Sequence, residues 1–218
     1  MFDGIQADIH QRQTAGKHHE ERAIEQVLDA WQGQHPFIAL KAGETVLTLG
    51  SGGVSLFAIQ LAKAMGARVI ATTSSEAKSA QLKALGADEV INYVQHPEWS
   101  EEVLRLTSGQ GVNLVVEVGG PGTLNQSIRS ICIGGELALI GFVARDAVAI
   151  DFFSLFKSAA RFRVISVGSR EDFEQMNQAL VQHKIIPVID STFPFVEAKQ
   201  AWQHFDSRQH VGKIVISH

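Results

Sequence analysis

Between Thr45 and Ser75 the chain reads TVLTLGSGGVSLFAIQLAKAMGARVIATTSS. Its first residues are apolar or β-branched in a run short enough for a strand. Gly50, Ser51, Gly52 and Gly53 then force a turn, Val54 to Met65 carries apolar residues at helical spacing, and Arg68 to Thr72 is a second β-branched run. Strand, turn, helix, strand is one β-α-β unit, with parallel strands and the helix on one face. Gly50 suits the tight turn out of the strand, and Gly52 lets another group approach the backbone with no Cβ in the way. Ser51 and Val54 complete the turn. The N–H groups and positive end of the following helix favour an anion there, as in a dinucleotide-binding turn. The usual pattern has a third glycine where Ser55 stands; that site needs a small residue for the helix to pack close on the strand, and serine is small. A plain strand-to-helix turn is the bland alternative.

The rest of the chain repeats this alternation. Strands are predicted at Glu89–Asn92, Leu114–Val118, Glu136–Ile140 and Arg163–Val167. Helices are predicted at Ser75–Leu85, Glu98–Leu106, Thr123–Ile131, Phe152–Ala159 and Glu171–His183. The fold class is therefore α/β: a doubly wound parallel sheet, a Rossmann fold of about six strands with helices on both faces. Val188–Phe195 follows Pro187, contains Pro194 and reads as an edge strand or an irregular connection. A short helix, Glu197–Phe205, and a last strand, Lys213–Ile216, follow. Upstream, Ile24, Val27, Leu28 and Trp31 share one helical face, and Met1 to His19 is polar with no clear period, expected to be loosely ordered.

Composition narrows the function classes. The 218 residues are 45% hydrophobic and 19% charged, with a net charge of −4. That balance leaves no basic footprint for nucleic acid. No apolar run approaches the roughly 20 residues of a membrane span, and a lone cysteine, Cys132, excludes an internal disulfide and a multi-cysteine zinc lobe. A cytoplasmic protein with no nucleic-acid or membrane partner is expected.

The end of the second strand bears on which dinucleotide is held. NAD-specific sites usually place an acid about 20 residues past the glycines, on the ribose 2′-hydroxyl. Here the residues are Thr72, Thr73, Ser74 and Ser75, with Lys78 one turn on. Hydroxyls and a cation accept a 2′-phosphate, which favours NADP, with NAD possible. Glu76 dissents as a substitute acid. In the bland alternative Ser74 or Ser75 caps the helix, Glu76 complements its dipole and Lys78 is solvated.

Several separated segments resemble, in order and spacing, the medium-chain dehydrogenase/reductase superfamily, closest to its zinc-type alcohol dehydrogenase and quinone oxidoreductase branches. They are the glycine-turn stretch itself, LKALGADEVINY, GVNLVVEVGGPGTLNQSI, GGELALIG and GKIVI. The resemblance runs from about Ala30 to His218. It implies an NAD(P)-dependent oxidoreductase in which hydride passes between nicotinamide and a carbonyl, enone or alcohol. It also implies further cofactor contacts: Tyr93 near the adenosine phosphate; Val118, Gly119 and Gly120 where the cofactor crosses the sheet; Ile140, Gly141 and Phe142 beside the nicotinamide ribose; and Val167, Gly168 and Ser169 at the nicotinamide. Strand ends that need glycine to turn are the bland alternative for these three groups. Lys213 approaches the phosphates in some relatives, although more often such a lysine is simply solvated.

The same resemblance divides the chain into an atypical N-terminal segment, 1–29, a Rossmann cofactor domain, 30–185, and a return segment, 186–218. In the family a GroES-like domain carries the substrate pocket, proton relay and zinc ligands, and residues 1–29 do not resemble it. No catalytic residue and no metal ligand is therefore assigned. Cys132 is expected to be buried at a helix end. Two readings stay open: the cofactor domain of an oxidoreductase, or a non-catalytic NADP(H)-binding sensor or subunit with Leu155, Phe156, Ile185 and Ile186 as bared apolar surface. Homodimerisation through the edge strand 163–167 is expected from the family habit of joining sheets there.

Overall fold

The computed structural model describes residues 40–143, 149–166 and 168–218. The helix expected over Ile24–Trp31 and the segment Met1–His19 lie outside the described residues. Six parallel strands form one sheet: β1 (Thr45–Leu49), β2 (Arg68–Thr73), β3 (Glu89–Asn92), β4 (Val112–Glu117), β5 (Ile131–Leu139) and β6 (Arg161–Val164). Their order is β3-β2-β1-β4-β5-β6. Connections run outward in both directions from the β1/β4 junction, which is the doubly wound topology the alternation implied.

Burial explains why the strands read as nearly continuous apolar runs. In β1, Val46 joins one core cluster and Leu47 the other, because successive side chains point to opposite faces. Helix α1 (Gly53–Ala64) places Leu56, Ile59 and Ala62 on the first face, with Leu82 of α2 (Glu76–Ala84) beside them. The second face takes Val103 of α3 (Trp99–Leu106) and Ile128 of α4 (Pro121–Ser130), with Leu155 of α5 (Phe152–Ser158) at its margin. A third cluster joins Phe57 and Leu61 of α1 to Met176 and Ala179 of α6 (Arg170–His183). Each fully buried leucine or isoleucine contributes on the order of 1.5–3 kcal/mol. Among the described residues no helix is long and apolar enough to cross a membrane.

Three elements differ from expectation. The outer strand is Arg161–Val164, not 163–167. Arg161 and Phe162 pair with Glu136 and Leu137, and Ile165 leaves the strand for the first core. An edge strand tolerates charge, so Arg161 did not mark the start of the strand. Second, β5 begins at Ile131, immediately after α4. Cys132 therefore lies in a strand and is half-buried, not buried at a helix end. Third, the return segment makes its own small sheet, in which β7 (Ile189–Pro194) pairs in parallel with β8 (Lys213–Ser217). Helix α7 (Ala198–Asp206) packs on both. Pro194, lacking an N–H, sits where β7 ends.

Candidate functional site

The glycine turn stands at the carboxyl end of β1, where the two halves of the sheet diverge. Gly50 has φ +77°, a conformation L side chains rarely adopt, and its N–H donates to the Thr72 carbonyl at 3.0 Å. That bond ties the ends of β1 and β2 together. Gly52 precedes α1 in extended conformation, no side chain caps this helix end, and its first turn holds no acidic residue. A Cβ built on Gly52 meets nothing within 4 Å, so the turn is open on that side. At Gly53 the reverse holds: a Cβ would lie 2.7 Å from Cε and Nζ of Lys213. An ammonium group is thus laid over the positive end of a helix. An anion lying beside the two is attracted by both. Open backbone, uncapped helix end and adjacent cation together fit a pyrophosphate. Ser55, in the third-glycine position, is buried and donates its hydroxyl to the Leu49 carbonyl at 2.6 Å, so it fastens α1 to the strand it follows.

The 2′-phosphate candidates divide into two groups. Thr72 and Thr73 are buried, and their hydroxyls serve backbone: Thr72 Oγ1 accepts from Gly50 N–H at 3.2 Å, and Thr73 Oγ1 accepts from Ser75 N–H at 3.3 Å. Ser74 is exposed. Ser75 is half-buried and precedes α2 without capping it through its side chain. Lys78 donates to the carbonyls of Arg208 and His210, at 2.9 and 3.1 Å, and burial lowers its pKa against the opposing pull of Asp190. An ammonium has three N–H donors, and those bonds use two. Glu76 turns toward β3 and accepts from Asn92 Nδ2 at 3.0 Å. Tyr93 follows that strand, 41% exposed, with its N–H on the Thr73 carbonyl at 2.9 Å.

The ends of β4 and β5 are organised by a residue the sequence reading passed over. Glu117, fully buried, accepts on Oε1 from Gly119 N–H (2.7 Å), Gly120 N–H (3.0 Å) and Thr123 Oγ1 (2.6 Å), and on Oε2 from Ser127 Oγ. An acid inside the apolar run LVVEVGG was the available signal. It places a carboxylate at the N-terminus of α4, where the helix dipole favours it. Backbones then approach closely: a Cβ on Gly141 would lie 2.5 Å from the Val118 carbonyl oxygen. Val118 and Ile140 are partly buried against the first core, while Phe142 is 66% exposed. Ser169 caps α6 in a capping box with Asp172, so its hydroxyl serves the helix. Gly168 is half-buried beside it, and Val167 lies outside the described residues.

These groups follow the carboxyl ends of the parallel strands, the edge where α/β folds bind ligands. Among the described residues no three His, Cys, Asp or Glu side chains come together to hold a metal, so these residues do not fit a zinc site. Burial pushes the Cys132 thiol up, away from the reactive thiolate. Of the apolar residues expected to be bared, Phe156 and Ile186 are 78% and 74% exposed, whereas Leu155 and Ile185 pack against the cores.

Comparison with known proteins places this geometry. The zinc-binding dehydrogenase family model matches residues 53–182, from the glycine turn to the last turn of α6. The chain belongs to that family. It matches the NAD(P)-binding part of the medium-chain dehydrogenases. A zinc-type alcohol dehydrogenase-like protein of Schizosaccharomyces pombe is 41% identical over 198 residues, covering 87% of this chain and 56% of the relative. An acryloyl-coenzyme A reductase of Metallosphaera sedula is 33% identical over 181 residues, covering 82% and 52%. The chain thus spans about half the length of those curated relatives. Among solved structures, an NAD-dependent alcohol dehydrogenase superimposes with TM-score 0.79 at 33% identity, covering 87% of this chain and 55% of that one. Mycobacterial Rv1454c complexed with NADPH superimposes with TM-score 0.74 at 29% identity, covering 88% and 62%.

Proposed function

We propose that this chain binds a nicotinamide dinucleotide at the carboxyl edge of its sheet, NADP(H) in preference to NAD(H), as the cofactor domain of an oxidoreductase. The observation that carries the reading is the glycine turn, open at Gly52 and overlaid at Gly53 by the Lys213 ammonium. Backbone N–H groups of α1 and that ammonium hold the pyrophosphate. Ser74 and the remaining N–H of Lys78 take the 2′-phosphate, with Tyr93 beside the adenosine. Val118 to Gly120 and Ile140 to Phe142 shape the crossing toward the nicotinamide. When bound, the cofactor exchanges hydride with a carbonyl, enone or alcohol. Residues 30–185 form the cofactor domain in this reading, and 186–218 return to close it.

The engagement of Glu76, the candidate acid after β2, by Asn92 supports the NADP preference. Titration with NADPH and NADH, followed by nicotinamide fluorescence, tests it. NADPH is expected to bind roughly tenfold tighter, about 1.4 kcal/mol. Equal affinities, or tighter NADH, would overturn the preference.

A homodimer through the outer edge is the second part of the proposal. Strand β6 ends the sheet, Val164 is 77% exposed, and Phe152, Phe153 and Phe156 of α5 are exposed in one cluster of ring contacts. Pairing two β6 strands joins the unpaired edges and covers apolar surface. Sedimentation velocity at micromolar concentration should give a dimer, and a monomer would dispose of the arrangement.

A further inference from the structure

Three contacts bring the turn and strand start at 207–213 against the dinucleotide edge. Lys78 donates to the carbonyls of Arg208 and His210. Gly212 N–H donates to the Ser51 carbonyl at 3.0 Å, in a parallel bridge between Gly52 and Gly212. The next residue is Lys213, whose side chain covers Gly53. A fourth bond, from Val211 N–H to Asp190 Oδ1 at 2.9 Å, secures the segment to β7 from its other side. Lys78 is therefore the side chain from the main sheet's own helices that grips this strap, two residues before the strap meets the glycine turn. Both carbonyls it holds belong to a turn in which Arg208 has φ +57°, a left-handed conformation unfavourable for arginine.

We propose that Lys78 is a positioning residue for the pyrophosphate site as well as a contact for the 2′-phosphate. By seating the strap it holds Gly212 on Ser51 and Lys213 over Gly53, so its loss weakens NADH binding too, although NADH has no 2′-phosphate. The cofactor half of the proposal rests on the dinucleotide reading; the seating of the strap does not. A lysine that only contacts the 2′-phosphate would leave NADH binding untouched when replaced, which makes the two roles separable.

The test pairs Lys78→Met, which keeps the stem and removes every donor, with Lys78→Arg, which retains donors for the carbonyls. In the ligand-free protein, amide hydrogen exchange at Gly212 should be roughly tenfold faster in Lys78→Met than in the unaltered chain, with the exchange of β1 and β4 amides unchanged. NADH affinity should fall roughly tenfold and NADPH affinity further, while Lys78→Arg restores the NADH value to within about threefold. Unchanged Gly212 exchange in Lys78→Met overturns the strap whatever the cofactors do. Faster exchange with NADH affinity unaltered overturns the coupling to the pyrophosphate site. Faster exchange in Lys78→Met together with no binding of either cofactor by the unaltered chain overturns the dinucleotide reading and the coupling with it, and leaves the strap's seating standing.

Discussion

Replacing Gly52 by valine is expected to abolish dinucleotide binding while leaving the fold intact. The residue lies in extended conformation with φ −78°, which valine adopts readily, and a Cβ there meets nothing within 4 Å. Valine is a poor helix N-cap, so a cost of about 1 kcal/mol is expected, or 2–4 °C in Tm for a chain of this size. The side chain instead fills the open side of the turn, through which a pyrophosphate must reach the backbone N–H groups of α1. Affinity for NADPH should fall at least about 100-fold, some 2.7 kcal/mol, with Gly52→Ala intermediate. Calorimetric titration beside thermal unfolding separates the two effects. Gly53→Ala makes a useful contrast, because its Cβ meets the Lys213 side chain and acts by displacing it. Retained NADPH affinity in Gly52→Val would mean that the ligand does not approach by this face.

The second large effect is structural, at Glu117. Its carboxylate takes four hydrogen bonds, and alanine leaves two backbone N–H groups and two hydroxyls without their acceptor in a buried site. Each buried donor left unsatisfied costs on the order of 1–3 kcal/mol, although Thr123 can still donate to the Gly120 carbonyl and Ser127 can rotate. A net loss of about 4 kcal/mol is expected for Glu117→Ala, or roughly 8–16 °C in Tm. Glu117→Gln keeps an acceptor toward Gly119 and Gly120 and turns its NH₂ toward Ser127, whose hydroxyl can accept. It forfeits chiefly the negative charge at the N-terminus of α4, about 1 kcal/mol. Chemical denaturation should therefore order the proteins as unaltered, glutamine, alanine, most stable first. If alanine costs no more than glutamine, the four-bond account of the β4 end is wrong.

The sequence disclosed what depends on neighbours along the chain. Glycine spacing, apolar period and strand–helix alternation are local, so the β-α-β unit and the order of the central elements were legible. Ser55 was legible too, since a small residue was all its position required; that its hydroxyl reaches the Leu49 carbonyl was not. Contacts between distant segments were hidden. Lys78 and the carbonyls it holds are separated by 130 and 132 positions, and nothing in SSEAK announces a partner so remote. The start of β6 was placed two residues late because an edge strand need not be apolar, and the first half of β5 was missed because the glycines at 134 and 135 look like a turn inside what is a strand. The threonines at 72 and 73 had the right chemistry for a phosphate and point inward to backbone instead. Ser169 carried its explanation in the Ser-x-x-Asp spacing that makes a capping box.

The central claim, that the open glycine turn receives a dinucleotide, is tested most directly by amide NMR of the 23.7 kDa chain during titration with NADPH. The expected result is saturable shifts concentrated at Gly50, Gly52, Val54 and Lys213, with a second group at Val118 to Gly120 and Gly141, and little change along β7 beyond its junction with the strap. Saturable shifts confined to another face, or none in a protein whose spectrum shows it folded, would contradict the account.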